Sequence, residues 1–285
     1  MTARQPRSWL FVPADSEKKI ARALDSGADA LIFDLEDSVA LGEKARAREI
    51  LSGLPARSGG AQWWVRINPL RTEEHRLDLE LLGSADIHGL VLPKAENGGD
   101  IVELAHRTGN IPVHAIVTET AASLFGLLSY RQPGTSLAAM SWGAEDLSAD
   151  LGAASKFGSD GRLTFPYQLA RTLCLAGAVA AGVQPIDGVF ADFRDEAGLT
   201  EEALDAARDG FTGKLAIHPA QVGPINQAFS PTPDQIDHAR AIVAAFAAQP
   251  AVGVASVNGR MVDRPHLLQS QRILDRAAEE NDHVP

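Results

Sequence analysis

Two carboxylates carry the first chemical signal in this chain. Glu119 follows the apolar run His114–Val117, and Asp146 comes a few residues after the run Ala138–Met140. Brought to one cavity, they would suit a hard divalent cation with open positions for water and substrate oxygens. No thiolate and no close histidine pair accompanies them, so magnesium or manganese is favoured over zinc. The same residues could instead cap helices or form ion pairs where loops begin. Arg66, with Asn68 close behind, ends the run Trp63–Val65. Its guanidinium could grip a substrate carboxylate or carbonyl, or it could be held by Asp34 or Glu36. Asp34, Glu36 and Asp37 crowd together after Ala30–Phe33. Three close carboxylates repel unless a cation is near, and a metal or Arg66 would supply one. Glu36 could accept a hydrogen bond from metal-bound water, whereas Asp37 also reads as a solvated helix start. Lys94 follows Leu90–Leu92. A Schiff-base role is open to it, but the nearby acids favour an ion pair. His218 reads as a mouth residue or, more simply, a structural histidine.

These residues share one position: each lies just past a short apolar run. Such runs, buried on both faces, are expected of parallel strands. Eight are legible: Trp9–Val12, Ala30–Asp34, Trp63–Ile67, Gly89–Leu92, Val113–Thr118, Leu137–Ser141, Gly188–Phe193 and Lys214–Ile217. Helix-like stretches separate them at Asp15–Leu24, Gly42–Leu51, Glu73–Leu82, Ala95–Arg107, Phe165–Ala181 and Glu201–Asp209. Alternation of this kind implies a parallel α/β fold. Eight units favour a closed (β/α)8 TIM barrel over an open sheet, and active sites of such barrels form at the C-terminal strand ends.

The repeat stops near Ser230–Pro233. A helix from Asp234 to about Ala248, two apolar runs around Asn258-Gly259, and a helix over His266–Ala278 complete the chain. Asn-Gly between such runs predicts a hairpin. The expected organisation is a catalytic barrel over 1–230 and a helix–hairpin–helix extension over 231–285. The extension is too small to hold a core alone and is expected to pack on the barrel or on a neighbouring subunit.

Composition narrows the function classes. The chain has 285 residues, 45% of them hydrophobic, and a formal net charge of −11. That charge argues against general nucleic-acid or anionic-membrane binding. The apolar runs are too short for a transmembrane helix, and the N-terminal one is too short for a signal peptide. A single cysteine, Cys174, in an apolar segment, excludes internal disulfides and reads as a buried thiol. A cytoplasmic protein is expected. There is no G-x-G-x-x-G after a strand, no Walker A sequence and no G-x-S-x-G elbow, so dinucleotide, nucleotide-hydrolysing and serine-hydrolase readings lose support.

Taken in order, the strand-end segments RSWLFVPAD, GADALIFDLEDSV, VRINP, VLPKAE, ETA, SWGAEDLSADLG, DGVFADF, GKLAIHPAQ and NGRMVDRPH resemble the citrate lyase beta-subunit-like CoA-ester lyases of the HpcH/HpaI aldolase superfamily. The resemblance spans residues 7 to 266. It implies Mg²⁺ held by Glu119 and Asp146, with Glu119 also contacting substrate. Arg66 would lie on the substrate's oxygens, and Glu36 and Asp37 would stand behind the metal. It further implies a homo-oligomer, a trimer or a hexamer built from trimers, in which Asp263 serves a neighbouring subunit's active site as a catalytic residue. The substrate class implied is a 3-hydroxy-dicarboxylyl-CoA of the malyl-CoA or citramalyl-CoA type. The alternatives are a malyl-CoA thioesterase and a citrate lyase beta subunit working in a complex. Lys18, Lys19 and Arg22, after the first run, are the nearest cations for the CoA phosphates, though they also read as an exposed helix face. Many relatives carry glycine where this chain has Ala14.

Overall fold

The computed structural model describes residues 5–56, 60–81, 86–131, 136–249 and 252–281. Eight parallel strands close into a barrel in sequence order: β1 Ser8–Pro13, β2 Ala30–Asp34, β3 Gln62–Arg66, β4 Gly89–Leu92, β5 Val113–Ile116, β6 Leu137–Ser141, β7 Gln184–Asp187 and β8 Gly213–Ala216. The helices are α1 Glu17–Leu24, α2 Lys44–Ser52, α3 Glu73–Leu81, α4 Gly98–Thr108, α5 Ser123–Gly126, α6 Ala144–Asp150, α7 Phe165–Ala181, α8 Glu196–Asp209, α9 Val222–Phe229, α10 Pro233–Ala248 and α11 Arg264–Asn281. The expected (β/α)8 barrel is therefore the observed fold. Among the described residues no helix is long and apolar enough to cross a membrane.

Alternate residues of the strands fill the barrel, as the period of two requires. Trp9, Ile32, Trp64, Val91, Ile116, Ala139, Ile186 and Leu215 form one buried cluster. Trp9 and Trp64 meet with ring centroids 5.0 Å apart. Gly89 makes room for this packing, because a Cβ there would lie 2.3 Å from Trp64 Cζ3. The opposite strand faces are buried too; Leu31 and Phe33 are 0% and 1% exposed.

One strand departs from the sequence reading. The seventh is Gln184–Asp187, and Gly188–Phe193 forms the loop after it. Pro185 lies inside this strand although proline lacks a ladder donor. In a strand of four residues that loss is small, and Pro185 takes part through its carbonyl, which accepts from Thr212 N–H at 3.0 Å. Asp187, at the end of β7, then anchors the helix layer. Its carboxylate accepts from Trp142 Nε1 (2.8 Å), Arg171 Nε (2.8 Å) and Lys214 Nζ (2.9 Å). Burial alone would raise its pKa, but Lys214 and Arg171 hold it at about 2.

Two compact units divide the chain, Gln5–Asn226 and the segment from Gln227 onward. In the second, β9 Val254–Val257 and β10 Arg260–Asp263 pair antiparallel. Asn258 and Gly259 both have positive φ, 52° and 75°, as a type I′ turn demands. Ile242 and Phe246 of α10 pack with Val257 and Val262 of this hairpin.

Candidate active site

Asp34 ends β2 and Arg66 ends β3, and the parallel register sets them side by side. Arg66 donates from Nε to Asp34 Oδ1 and from Nη2 to Asp34 Oδ2, both at 2.6 Å, in the bidentate fork. Its Nη1 lies 2.8 Å from Glu36 Oε2. Asp34 also accepts from the backbone N–H groups of Glu36 (2.9 Å) and Ser38 (3.1 Å). One buried carboxylate thus shapes the loop after β2 and aims the guanidinium. Burial would raise the Asp34 pKa, but Arg66 outweighs it and holds the carboxyl below its usual value. Of the two sequence readings of Arg66, the pairing with Asp34 and Glu36 is present in the structure. It leaves the guanidinium in the mouth, close enough to Glu119 for their charges to interact.

Lys94 joins this group to the next two strands. Its backbone is left-handed, φ 51°, a conformation that costs a non-glycine residue about 1–2 kcal/mol and that collects at active sites. The turn sends its N–H to Glu119 Oε2 at 2.5 Å. Its ammonium lies 2.5 Å from Glu36 Oε1, 3.2 Å from Asp146 Oδ1 and 3.5 Å from Asp37 Oδ2. Burial would lower the Lys94 pKa, but Glu36 foremost and then Asp146 and Glu119 raise it above the usual lysine value. The ion-pair reading of Lys94 matches this geometry.

Glu119 is 4% exposed. Burial pushes its carboxyl up to about 8; the Lys94 N–H opposes that shift, and the charges of Glu36 and Asp146 add to it. Glu36 is also raised, by burial first, against the pull of Arg66 and Lys94. Asp146 sits in the first turn of α6, half-buried. The turn before it passes directly over Glu119: a Cβ on Gly143 would lie 2.6 Å from Glu119 Cγ. Glu119 and Asp146 therefore converge on the mouth as oxygen donors, one kept dry and one at the rim. That donor chemistry fits a hard divalent cation. Among the described residues no group of three or more His, Cys, Asp or Glu is arranged around a common metal position.

The remaining sequence candidates fall elsewhere. Lys18, Lys19 and Arg22 lie exposed on α1, the helix that follows the C-terminal end of β1. Asp37 is exposed beside Lys94. Asn68 is buried, bonded to Leu35 O and Asp78. His218 is exposed, stacked on Phe193 at 4.5 Å, and its Nδ1 accepts from Ala220 N–H. Cys174 is buried and its thiol raised by that burial. Ala14 is buried against the loop, its N–H bonded to Asp34 O. Asp263 ends β10 in the second unit, half-exposed, with His266 Nδ1 2.5 Å from its Oδ1. That hydrogen bond lowers the Asp263 pKa.

Sequence reasoning missed Gly143 and the Asp263–His266 pair. A glycine between a strand end and a helix start signals the first. The second was visible only as an i, i+3 spacing across Pro265.

The HpcH/HpaI aldolase/citrate lyase family description matches residues 7–219. The chain belongs to that family. A second description, C–C bond lyase of the TIM-barrel fold, matches residues 167–279. This member of the HpcH/HpaI aldolase/citrate lyase family is 37% identical over 275 residues to a (3S)-malyl-CoA thioesterase of Cereibacter sphaeroides (strain KD131 / KCTC 12085), covering 95% of this chain and 94% of the relative. It is 35% identical over 297 residues to the mitochondrial citramalyl-CoA lyase of Mus musculus, covering 95% and 86%. Among solved structures it resembles CitE of Mycobacterium tuberculosis in complex with magnesium, acetoacetate and coenzyme A, with a TM-score of 0.84 and 35% identity over 97% of this chain and 99% of that one. It is an enzyme of the citrate lyase beta-like group of carbon–carbon lyases.

Proposed function

We propose that this enzyme is a Mg²⁺-dependent CoA-ester lyase. It would cleave a 3-hydroxy-dicarboxylyl-CoA of the malyl-CoA or citramalyl-CoA type to a keto acid and acetyl-CoA, by reversible Claisen-type chemistry. One observation carries the reading. A guanidinium fixed by two buried carboxylates faces an oxygen-only acid pair, Glu119 and Asp146, at the C-terminal ends of adjoining strands. The similarity to relatives solved with magnesium and coenzyme A supports it.

Glu119 and Asp146 are the residues that would hold magnesium. The bound ion would supply positive charge, lowering the pKa of the substrate hydroxyl and steadying the negative charge of the cleaved product. The chain's own residues would do the rest. Arg66, unable to move while Asp34 grips it, offers its charge to the thioester oxygen as that oxygen becomes an enolate. Glu36 and Lys94 hold the acid cluster at fixed spacing and limit its repulsion. Lys18, Lys19 and Arg22 would meet the CoA phosphates. Asp263, donated by a neighbouring copy in a homotrimer or hexamer, would relay the proton that leaves the substrate hydroxyl to the enolate carbon, giving acetyl-CoA.

A second reading is a thioesterase on the same substrates, favoured by the similarity to the malyl-CoA thioesterase. Purified protein incubated with Mg²⁺ and malyl-CoA or citramalyl-CoA separates the two. Lysis yields keto acid without free thiol, and hydrolysis yields free thiol without keto acid. Neither product from either thioester would overturn the proposal.

A further inference from the structure

The loop after β2 is held from two sides, and only one of them belongs to the mouth. On the mouth side, Asp34 takes the Glu36 N–H. On the other side stands Lys44, the first residue of α2 and only 8% exposed. Its ammonium has three protons and three acceptors: Leu35 O at 2.6 Å, Glu36 O at 2.8 Å and Asn68 Oδ1 at 2.9 Å. Among the described residues these partners are all neutral oxygens. A buried charge compensated only by neutral dipoles is an expensive way to stabilise a fold, and a hydrophobic residue would pack α2 at less cost.

The network continues outward. Asn68 donates from Nδ2 to Leu35 O (3.1 Å), and from its backbone N and Nδ2 to Asp78 Oδ2 (2.7 and 2.8 Å). Arg48 Nε holds the other Asp78 oxygen at 2.8 Å. Helices α2 and α3 thus lock the loops of β2 and β3 together beneath the site. Glu36 is the residue fixed at both ends of its backbone, its N–H by Asp34 and its carbonyl by Lys44 at 2.8 Å and the Val39 N–H at 3.2 Å. From that backbone its side chain reaches Arg66 and Lys94.

We infer that Lys44 is a positioning residue of the active site: it pins the Leu35–Glu36 backbone and so aims the Glu36 carboxylate at the cation cluster. The inference rests on the reading of Glu36 as the group behind the metal. Mn²⁺ affinity, read by electron paramagnetic resonance of free Mn²⁺, tests it without needing turnover. Lys44→Met is expected to weaken Mn²⁺ binding about tenfold, the usual effect of losing a group behind a metal ligand. In the Lys44→Met/Glu36→Gln double variant the loss should not exceed that of Glu36→Gln alone, because both act through one carboxylate. Lys44→Arg should fail to restore affinity, since a planar fork cannot converge three protons as an ammonium does. Three results would overturn the inference: Mn²⁺ affinity within twofold of wild type, losses that multiply in the double variant, or full recovery with arginine. Should Lys44→Met not fold, Asn68→Ala keeps the charge and removes one acceptor. A coupled loss with Glu36→Gln is expected there, and wild-type affinity would overturn the inference. A wild-type protein that binds Mn²⁺ but releases neither keto acid nor thiol sinks the lyase reading and leaves the Lys44 test standing.

Discussion

Lys94 donates its backbone N–H to Glu119 Oε2 at 2.5 Å while its ammonium stands 3.2 Å from Asp146 Oδ1. One residue thereby touches both members of the acid pair, through two different groups. The left-handed backbone at Lys94 is what makes this possible. The contact to Glu119 survives any change of side chain that keeps the φ, whereas the contact to Asp146 does not.

The raised carboxyl of Glu119 predicts metal-linked proton release. At pH 7 the group, with a pKa near 8, is mostly protonated, and a cation can use it only after the proton leaves. Titration calorimetry of Mg²⁺ binding in buffers of different ionisation enthalpy should show nearly one proton released at pH 7. Release should fall toward zero above pH 9. Release that is absent at pH 7, or unchanged in Glu119→Gln, would assign the effect elsewhere.

The same shift sets the sign of a stability change in metal-free protein. The fold raises the Glu119 pKa from 4.5 to about 8, so the folded state holds the proton more tightly than the unfolded chain. The stability this group contributes is full below about pH 4.5 and is lost as pH rises through 8. His75 and His114, lowered by burial, act in the opposite direction but only below their ordinary value of 6.5. The window to examine is therefore pH 7 to 8.5. The melting temperature should fall across it, and Glu119→Gln should flatten the fall.

Gly143 predicts a local, non-electrostatic route to inactivation. Alanine would bring a methyl to 2.6 Å from Glu119 Cγ, so the side chain or the turn must move. Overpacking of this kind costs about 1–3 kcal/mol, which a barrel can absorb. A displacement of about 1 Å in a catalytic group can cost roughly 100-fold in rate. Gly143→Ala should fold, melt within a few degrees of wild type and lose most of its Mg²⁺ affinity and turnover. Unchanged kinetics would mean that the turn does not set the position of Glu119.

Much of this site was legible in the chain because barrel strands end where their apolar runs end. Asp34, Arg66 and Asp146 fall where those runs predict, and the Asp34–Arg66 contact follows from the register of β2 on β3. The residues left unread owe their roles to backbone geometry and depth. Nothing marks Lys94 for a left-handed backbone, since glycine and asparagine are its usual bearers. Lys44 looks like a solvated helix residue until α2 is packed against the loop. The apolar run Gly188–Phe193 drew the expected seventh strand past the short Gln184–Asp187, whose polar ends give it a weaker pattern. The role proposed for Asp263 depends on assembly, which a single chain does not encode locally.

Arg66→Lys and Arg66→Ala should separate positioning from charge. Lysine keeps the charge but loses the fork that matches both oxygens of Asp34. It should hold the fold and lower kcat by about 100-fold, with a smaller change in KM. Alanine leaves Asp34, 1% exposed, buried without its cation, a change that costs about 3–5 kcal/mol. Chemical denaturation should show that loss in alanine and only a fraction of it in lysine. Equal stability losses would mean that the fork geometry, and not the charge, holds the cluster.

A site shared between subunits makes a complementation prediction. Asp263 is half-exposed and held by His266, so Asp263→Ala removes no buried partner and should fold. Asp146 is half-buried at the rim, so Asp146→Ala should fold as well and is a better second variant than one at Arg66. Each homo-oligomer alone should be inactive, because every site lacks one group. After mixing, unfolding and joint refolding, some sites will combine an intact Asp146 from one chain with an intact Asp263 from another. For randomly assorted chains in equal amounts, about one site in four should be complete, so activity should recover to roughly a quarter of wild type. Native mass spectrometry of differently tagged chains must show mixed assemblies in the same sample. Mixed assemblies without recovered activity would mean that Asp263 serves its own chain or none.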